Sequence, residues 1–303
     1  MLSDPLPESA ADVRDAVCAL RRWLAVRRHM FLLPDALGPH FLEQLKRLSE
    51  LSLVLLALAR PADGSGPRDE HASWAERMAE GLAVDLGSVE PAVRSMVDLH
   101  AAPGTRSLLV AFPALEAITG RTFCFHRLVT EALDADTGAD TCADLAFARD
   151  VAGLEDCRDV VSAELAELIR APALVPGTLK RSDLYELTHL FFYATKMGRR
   201  ASGWESRESS WIHERLEIDG RVRESLGDLD LAAESALSLL LAGFPASDHV
   251  RRTVARLSMS VQNDGHVSSY PWLPDLLKDG TPACYHPTLV GLAALAEFER
   301  KAC

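Results

Sequence analysis

With 303 residues, 48% of them hydrophobic and 25% charged, the chain has the makeup of a globular protein with a large buried core. Its formal charge of −12 comes from acids spread along the whole length, a surface that repels phosphate backbones and anionic lipid and so excludes nucleic-acid and membrane-surface partners. The six cysteines (Cys18, Cys124, Cys142, Cys157, Cys284, Cys303) stand far apart without a Cys-x-x-Cys pair, which argues against a zinc knuckle and a disulfide framework alike.

The first residues, Met-Leu-Ser-Asp-Pro-Leu-Pro-Glu, lack the basic and apolar regions of a signal peptide, so a cytoplasmic protein is expected. Arg21, Arg22, Arg27 and Arg28 cluster near Trp23 and read as a solvated helix face. Leu42, Leu45, Leu48 and Leu51 recur every three residues, and Leu55 and Leu58 continue the stripe of one long helix. The most apolar stretch, Leu51 to Ala59, falls well short of the ~20 residues that span a bilayer. In the segment from Arg158 to Arg170, Val161, Leu165 and Leu168 share a face opposite Asp159, Glu164 and Glu167. Asp183-Leu-Tyr-Glu186 has the form of a capping box, with Gly198 as a stop. Asp230 is placed to cap a helix running to Gly243, and His286-Pro287 offers a proline at the start of the last helix. No alternating β pattern or Asn-Gly hairpin interrupts this series.

Those starts, together with Asp140-Thr141-Cys142, lie about 45 to 55 residues apart, and the segments near 157–170, 208–225 and 248–262 between them are more charged. Alternation of apolar and charged helices at that period is the pattern of inner and outer helices in stacked hairpins, because an inner helix is covered on both sides. The expected fold is all-α, a single domain over 1–303 built as an α/α toroid of about six hairpins. Tyr185-Glu-Leu-Thr188 and Tyr285-His-Pro-Thr288 echo each other two periods apart.

Near the C-terminus, Gln262-Asn-Asp264-Gly265, Tyr270-Pro271-Trp272 and Cys284-Tyr285-His286-Pro287-Thr288-Leu289-Val290-Gly291-Leu292 follow one another. This stretch resembles the repeat unit of the terpenoid-cyclase and protein-prenyltransferase toroids. The resemblance implies a helix-lined cavity, and it puts His286 where the prenyltransferases have a zinc-ligating histidine. The prenyltransferase Asp-x-Cys pair has its counterpart only in Asp140-Thr-Cys142. In this register that pair is three hairpins from His286, too far to share an ion whose ligands lie within about 2.3 Å. Asp134-Ala-Asp136-Thr137 resembles the Asp-x-Asp-Asp acid of class II terpene cyclases, with Asp136 as the proton donor, and reads equally as an acidic loop. The Tyr-Glu-Leu-Thr-His stretch is similar to uncharacterised bacterial helical families that name no activity.

The inner-helix starts carry the candidate chemistry. Their orphan N–H groups converge on a cavity rim, which places Tyr185, Glu186, His189, Cys284, Tyr285 and His286 there. Glu186 and His189, three apart, share a helix face, and a histidine beside a carboxylate can act as acid or base near neutrality. His189, His286, Glu186 and Asp136 are therefore the candidate catalytic residues, and Tyr185, Tyr285, Tyr193 and Trp272 the candidate substrate wall. Each has a plain alternative as cap, core or loop. Phosphate loops, a nucleophile elbow and an HExxH helix are absent from the sequence. The expectation is an enzyme of small-molecule, specialised metabolism that takes a hydrophobic substrate through cyclisation, isomerisation or elimination. No cofactor or metal is expected, a site of His189, His286 and Cys284 being the metal-dependent variant of this reading. The alternative is a non-catalytic helical protein that binds a ligand or partner. The sequence leaves the oligomeric state open.

Overall fold

A computed structural model describes residues 10–59, 69–99, 102–135, 142–170, 177, 179–261, 263–267 and 282–302. Helix makes up 76% of it, and the described residues hold no strand, only one isolated antiparallel bridge between Val261 and Val267. In chain order the helices are α1 (Ala10–Val26), α2 (Phe41–Leu58), α3 (Glu70–Asp85), α4 (Glu90–Leu99), α5 (Pro103–Arg106), α6 (Ala111–Thr119) and α7 (His126–Asp134). There follow α8 (Ala143–Val151), α9 (Arg158–Arg170), α10 (Arg181–Ala194), α11 (Ser206–Ser225), α12 (Leu229–Leu241), α13 (Asp248–Ser260) and α14 (Tyr285–Ala302). The all-α expectation holds. Among the described residues no helix is long and apolar enough to cross a membrane.

The chain packs as two compact units, one of residues 27–166 and 196–202, the other of residues 1–26, 167–195 and 203–303. In the former, the leucine stripe forms from Leu45 onward, with Leu42 only half-buried. Leu45, Leu48, Leu51, Leu55 and Leu58 of α2 are buried, against α3 and α6. Asp69 caps α3 by accepting from Ala72 N at 2.7 Å, and Phe112 meets Phe123 and Phe125 edge-on at 5.6 and 5.0 Å between ring centres.

The other unit is built around α12. Every residue from Leu231 to Leu240 is buried, because α10, α11, α13 and α14 all pack against this helix. The helices α10 and α14 are nearly as enclosed, whereas α11 and α13 bury only one stripe each. The apolar and charged helices of the sequence thus are the enclosed and half-covered helices of this unit.

Three local readings are corrected. Helix α10 begins at Arg181 after Lys180, before Asp183, so Asp183 is a first-turn residue and not the cap. The cap of α12 is Asp228, whose side chain accepts from Leu231 N at 3.2 Å. This frees Asp230 for another partner. Arg21, read as solvated, is only 7% exposed, beside the buried Trp23.

Two glycines permit close approaches in this unit. Gly265 has φ +93°, and a Cβ there would lie 2.5 Å from the carbonyl oxygen of Ala19 on α1. At Gly220 of α11 a Cβ would meet His249 Nε2 at 2.5 Å and Ser235 Cβ at 2.8 Å, so α11, α12 and α13 converge on a missing side chain. The Ser235 carbon is tied to the backbone of α12 and cannot swing aside. Gly220→Ala is expected to destabilise the protein by about 1–3 kcal/mol through overpacking, despite alanine's better helix propensity, as read by urea unfolding.

Candidate functional site

Asp230 and Glu234 stand one turn apart on α12 and share a face. That face meets His286, the second residue of α14. Its Nδ1 lies 2.8 Å from Asp230 Oδ1, and its Nε2 lies 3.8 Å from Glu234 Oε1. From α10, Thr188 places its Oγ1 2.6 Å from Glu234 Oε2 and 2.8 Å from the Tyr185 carbonyl. Arg181, at the start of α10, pairs with Asp228 at 3.1 Å and Asp230 at 3.4 Å. The cluster grades inward from solvent: the Arg181 side chain is 49% exposed, His286 20%, Asp230 14% and Glu234 1%.

This gradient sets the charges. Burial pushes Glu234 up to about 8, and the neighbouring Asp230 carboxylate adds to the effect, so its neutral form is favoured. Burial also works against the charge on Asp230, yet His286, Arg181 and His189 together hold its carboxyl below the usual range. The Asp230–His286 pair is therefore an imidazole whose Nδ1–H donates to an ionised carboxylate, which directs the other ring nitrogen, Nε2, toward Glu234.

The two carboxyls and the imidazole offer ligand atoms within 4.8 Å of one another. One imidazole gives a metal one nitrogen. With Nδ1 bonded to Asp230, a cation at Nε2 would find Glu234 as its other protein ligand in this cluster, short of the three that hold a catalytic zinc.

Of the residues singled out in the sequence, His286 sits at the centre of the cluster. His189 acts electrostatically on Asp230, which it helps to hold low; its ring centre lies 4.0 Å from that of Tyr185 and its Nδ1 is 3.2 Å from the Tyr193 hydroxyl. Glu186 is exposed, its carboxyl raised by partial burial and by Asp183. Tyr285 and Tyr193 are mostly buried, at 8% and 7% exposure. Asp136 and Trp272 lie outside the described residues. The Tyr-x-x-Thr echo has a structural counterpart, since Thr188 and Thr288 are both fully buried. Thr188 joins the Tyr185 carbonyl to Glu234, and Thr288 donates to the Cys284 carbonyl and accepts from Val267 N. Sequence reasoning missed Glu234, Arg181 and Thr188 and took Asp230 for a cap. One signal was available: Glu234 is a lone acid within the apolar run Leu231 to Leu241, one turn after Asp230.

What the fold and cluster define is an all-helical protein with a buried carboxylate–imidazole site. Residues 18–296 match the family described as Domain of unknown function (DUF6895), and the chain belongs to that family. No curated protein and no solved structure matches it.

A second titratable cluster lies in the unit of residues 27–166 and 196–202. Asp150, 5% exposed, accepts from Cys157 N at 3.0 Å and pairs with Lys196 at 2.9 Å and Arg200 at 2.7 Å. Arg200 already bridges Asp150, Asp156 and Cys157, Lys196 pairs with Asp150, and burial pushes the Cys157 thiol up to about 12, so this is an ion-pair clamp and not a nucleophile. The clamp holds a strained turn, for Lys196 and Met197 have φ of +48° and +55°. Burial opposes the charge of Asp150, but the Cys157 amide, Lys196 and Arg200 prevail and depress its pKa. A depressed carboxyl stabilises the fold above its unfolded pKa of about 3.9, and that stability is lost as pH falls through the folded value. Asp150→Asn is expected to cost on the order of 3 kcal/mol at pH 7, with the gap from wild type closing below about pH 4 in urea titrations.

Proposed function

We propose that this protein is an enzyme of small-molecule metabolism in which the Asp230–His286 pair moves protons to and from a hydrophobic substrate. One observation carries the reading: the 2.8 Å bond from His286 Nδ1 to Asp230. Asp230 holds the ring in one tautomer, leaves Nε2 with its lone pair, and stabilises the imidazolium that forms when Nε2 takes a proton. Arg181 keeps Asp230 ionised from the solvent side. The tilted Tyr185 and His189 rings, with the Tyr193 hydroxyl on His189, supply aromatic surface on the same helix as Thr188. Proton transfer without a redox partner suits a cyclisation, isomerisation or elimination.

The α/α toroid and the likeness to terpenoid-cyclase repeats belong to this proposal. They are supported by the enclosed helices α10, α12 and α14 alternating with half-covered α11 and α13. A cytoplasmic enzyme acting on an uncharged apolar compound, with neither membrane nor nucleic acid as partner, is consistent with the net charge of −12.

The test compares cells expressing the wild-type chain, His286→Ala or Asp230→Asn by untargeted mass spectrometry of small molecules. A compound made or consumed with the wild type is expected to fall about 100-fold with either variant, at melting temperatures within a few degrees of wild type. Equal profiles for all three, with a compound co-purifying unchanged, would establish the non-catalytic binding protein instead.

A further inference from the structure

Helix α1 gives only one side to the core. Val13, Val17, Leu20 and Leu24 are buried where α13 and α14 pack against it. On the opposite side Asp15, Ala19, Arg22 and Val26 recur at three- and four-residue spacing and so lie on one line along the helix. Asp15, Arg22 and Val26 are exposed, Ala19 is half-buried, and the exposed Asp12 stands beside the acidic end of the line. Among the described residues, no side chain pairs with Asp12, Asp15 or Arg22. A groove of about 440 Å³ borders the same face, with Asp12, Asp15, Ala16 and Ala19 on the α1 side and Met259 and Val261 on the α13 side. Met259 and Val26 are 66% and 68% exposed, so apolar surface accompanies the charges.

We propose that this face of α1 is a self-association surface, on which α1 of a second copy lies antiparallel across a two-fold axis. Asp15 and Arg22 are two helical turns apart, about 10.5 Å along the axis. A two-fold placed midway, between Cys18 and Ala19, sets Asp15 of each copy opposite Arg22 of the other, so one interface holds two identical ion pairs. A parallel arrangement would set like charge against like. At the crossing point the side chains are the small Cys18 and Ala19, which let two helix backbones come close. Val26 on the line and Met259 at the groove's rim supply apolar area for the second copy to cover.

Charge complementarity selects the occupant. An acidic groove alone would accept any cationic helix, but this line carries both signs. Its partner must offer a carboxylate and a cation two turns apart in the reverse direction, and α1 turned end for end is that partner. Exposed ion pairs are individually weak and are screened by salt, so the association is a concentration-dependent equilibrium that salt loosens. The proposal is independent of the reading of Asp230–His286 and stands or falls without it.

The deciding experiment is sedimentation equilibrium of the full chain. The wild type is expected to show a monomer–dimer equilibrium whose dissociation constant rises about 10-fold between ~0.05 and ~0.5 M salt, a measurement that needs no variant to fold. Asp15→Arg and Arg22→Asp, both at exposed positions, should each weaken the dimer about 10-fold or more, since two attractions per interface become two repulsions. Melting temperatures within a few degrees of wild type show that both variants are folded. Mixed in equal amounts, the two variants should associate at least as well as the wild type, because each offers the sign of charge that the other lacks. A wild type that stays monomeric up to ~0.5 mM would overturn the proposal and leave the face to a different partner. A dimer indifferent to both reversals would overturn α1 as its surface, and a mixture that fails to associate would overturn the antiparallel register.

Discussion

The constraint on which the site depends is the enclosure of α12. Four helices cover it, and from Leu231 to Leu240 it has no face left for solvent. Such a helix should be apolar throughout, and this one is, apart from Ser235, Ser238 and Glu234. The serines return their hydrogen to carbonyls one turn back, Leu231 and Glu234 respectively, and need nothing more. A carboxyl cannot do that. Once α12 is enclosed, Glu234 must be neutral, or paired with a cation, or both in turn, and the partners in reach are a threonine and an imidazole.

The surrounding charges then fall into place. Asp228 caps α12 and draws Arg181 to the start of α10; Asp230, released from capping, orients His286. Arg181 pairs with both Asp228 and Asp230, while burial works against a charge on Glu234. This differs from the clamp at Asp150, where two cations surround one carboxylate and hold it ionised. One arrangement fixes a strained turn. The other buries an acid whose pKa is raised.

The helices themselves were legible in the sequence. Periodicity located α2, α9, α11 and α13 closely, and the difference between apolar and charged segments separated enclosed helices from half-covered ones, because burial of one stripe or of the whole circumference leaves a direct mark on composition. Their exact starts were less legible. Asp183 and Asp230 both had the chemistry of a cap, but cap chemistry at neighbouring positions is nearly interchangeable, and the choice of Lys180 and Asp228 follows from where the preceding chain arrives.

The sequence by itself determined the helical class and the acidic charge, since these depend on residue type and spacing along one chain. The partners of His286 were decided by tertiary structure alone. His286 is 56 residues from Asp230, and Thr188 is 46 from Glu234. No periodicity within a helix encodes which neighbouring helix will supply a hydrogen bond. The protonation of Glu234 belongs to that second class too: the same side chain on an exposed helix would be an ordinary solvated carboxylate, and only the packing of α10, α11, α13 and α14 around it removes the water that would keep it charged.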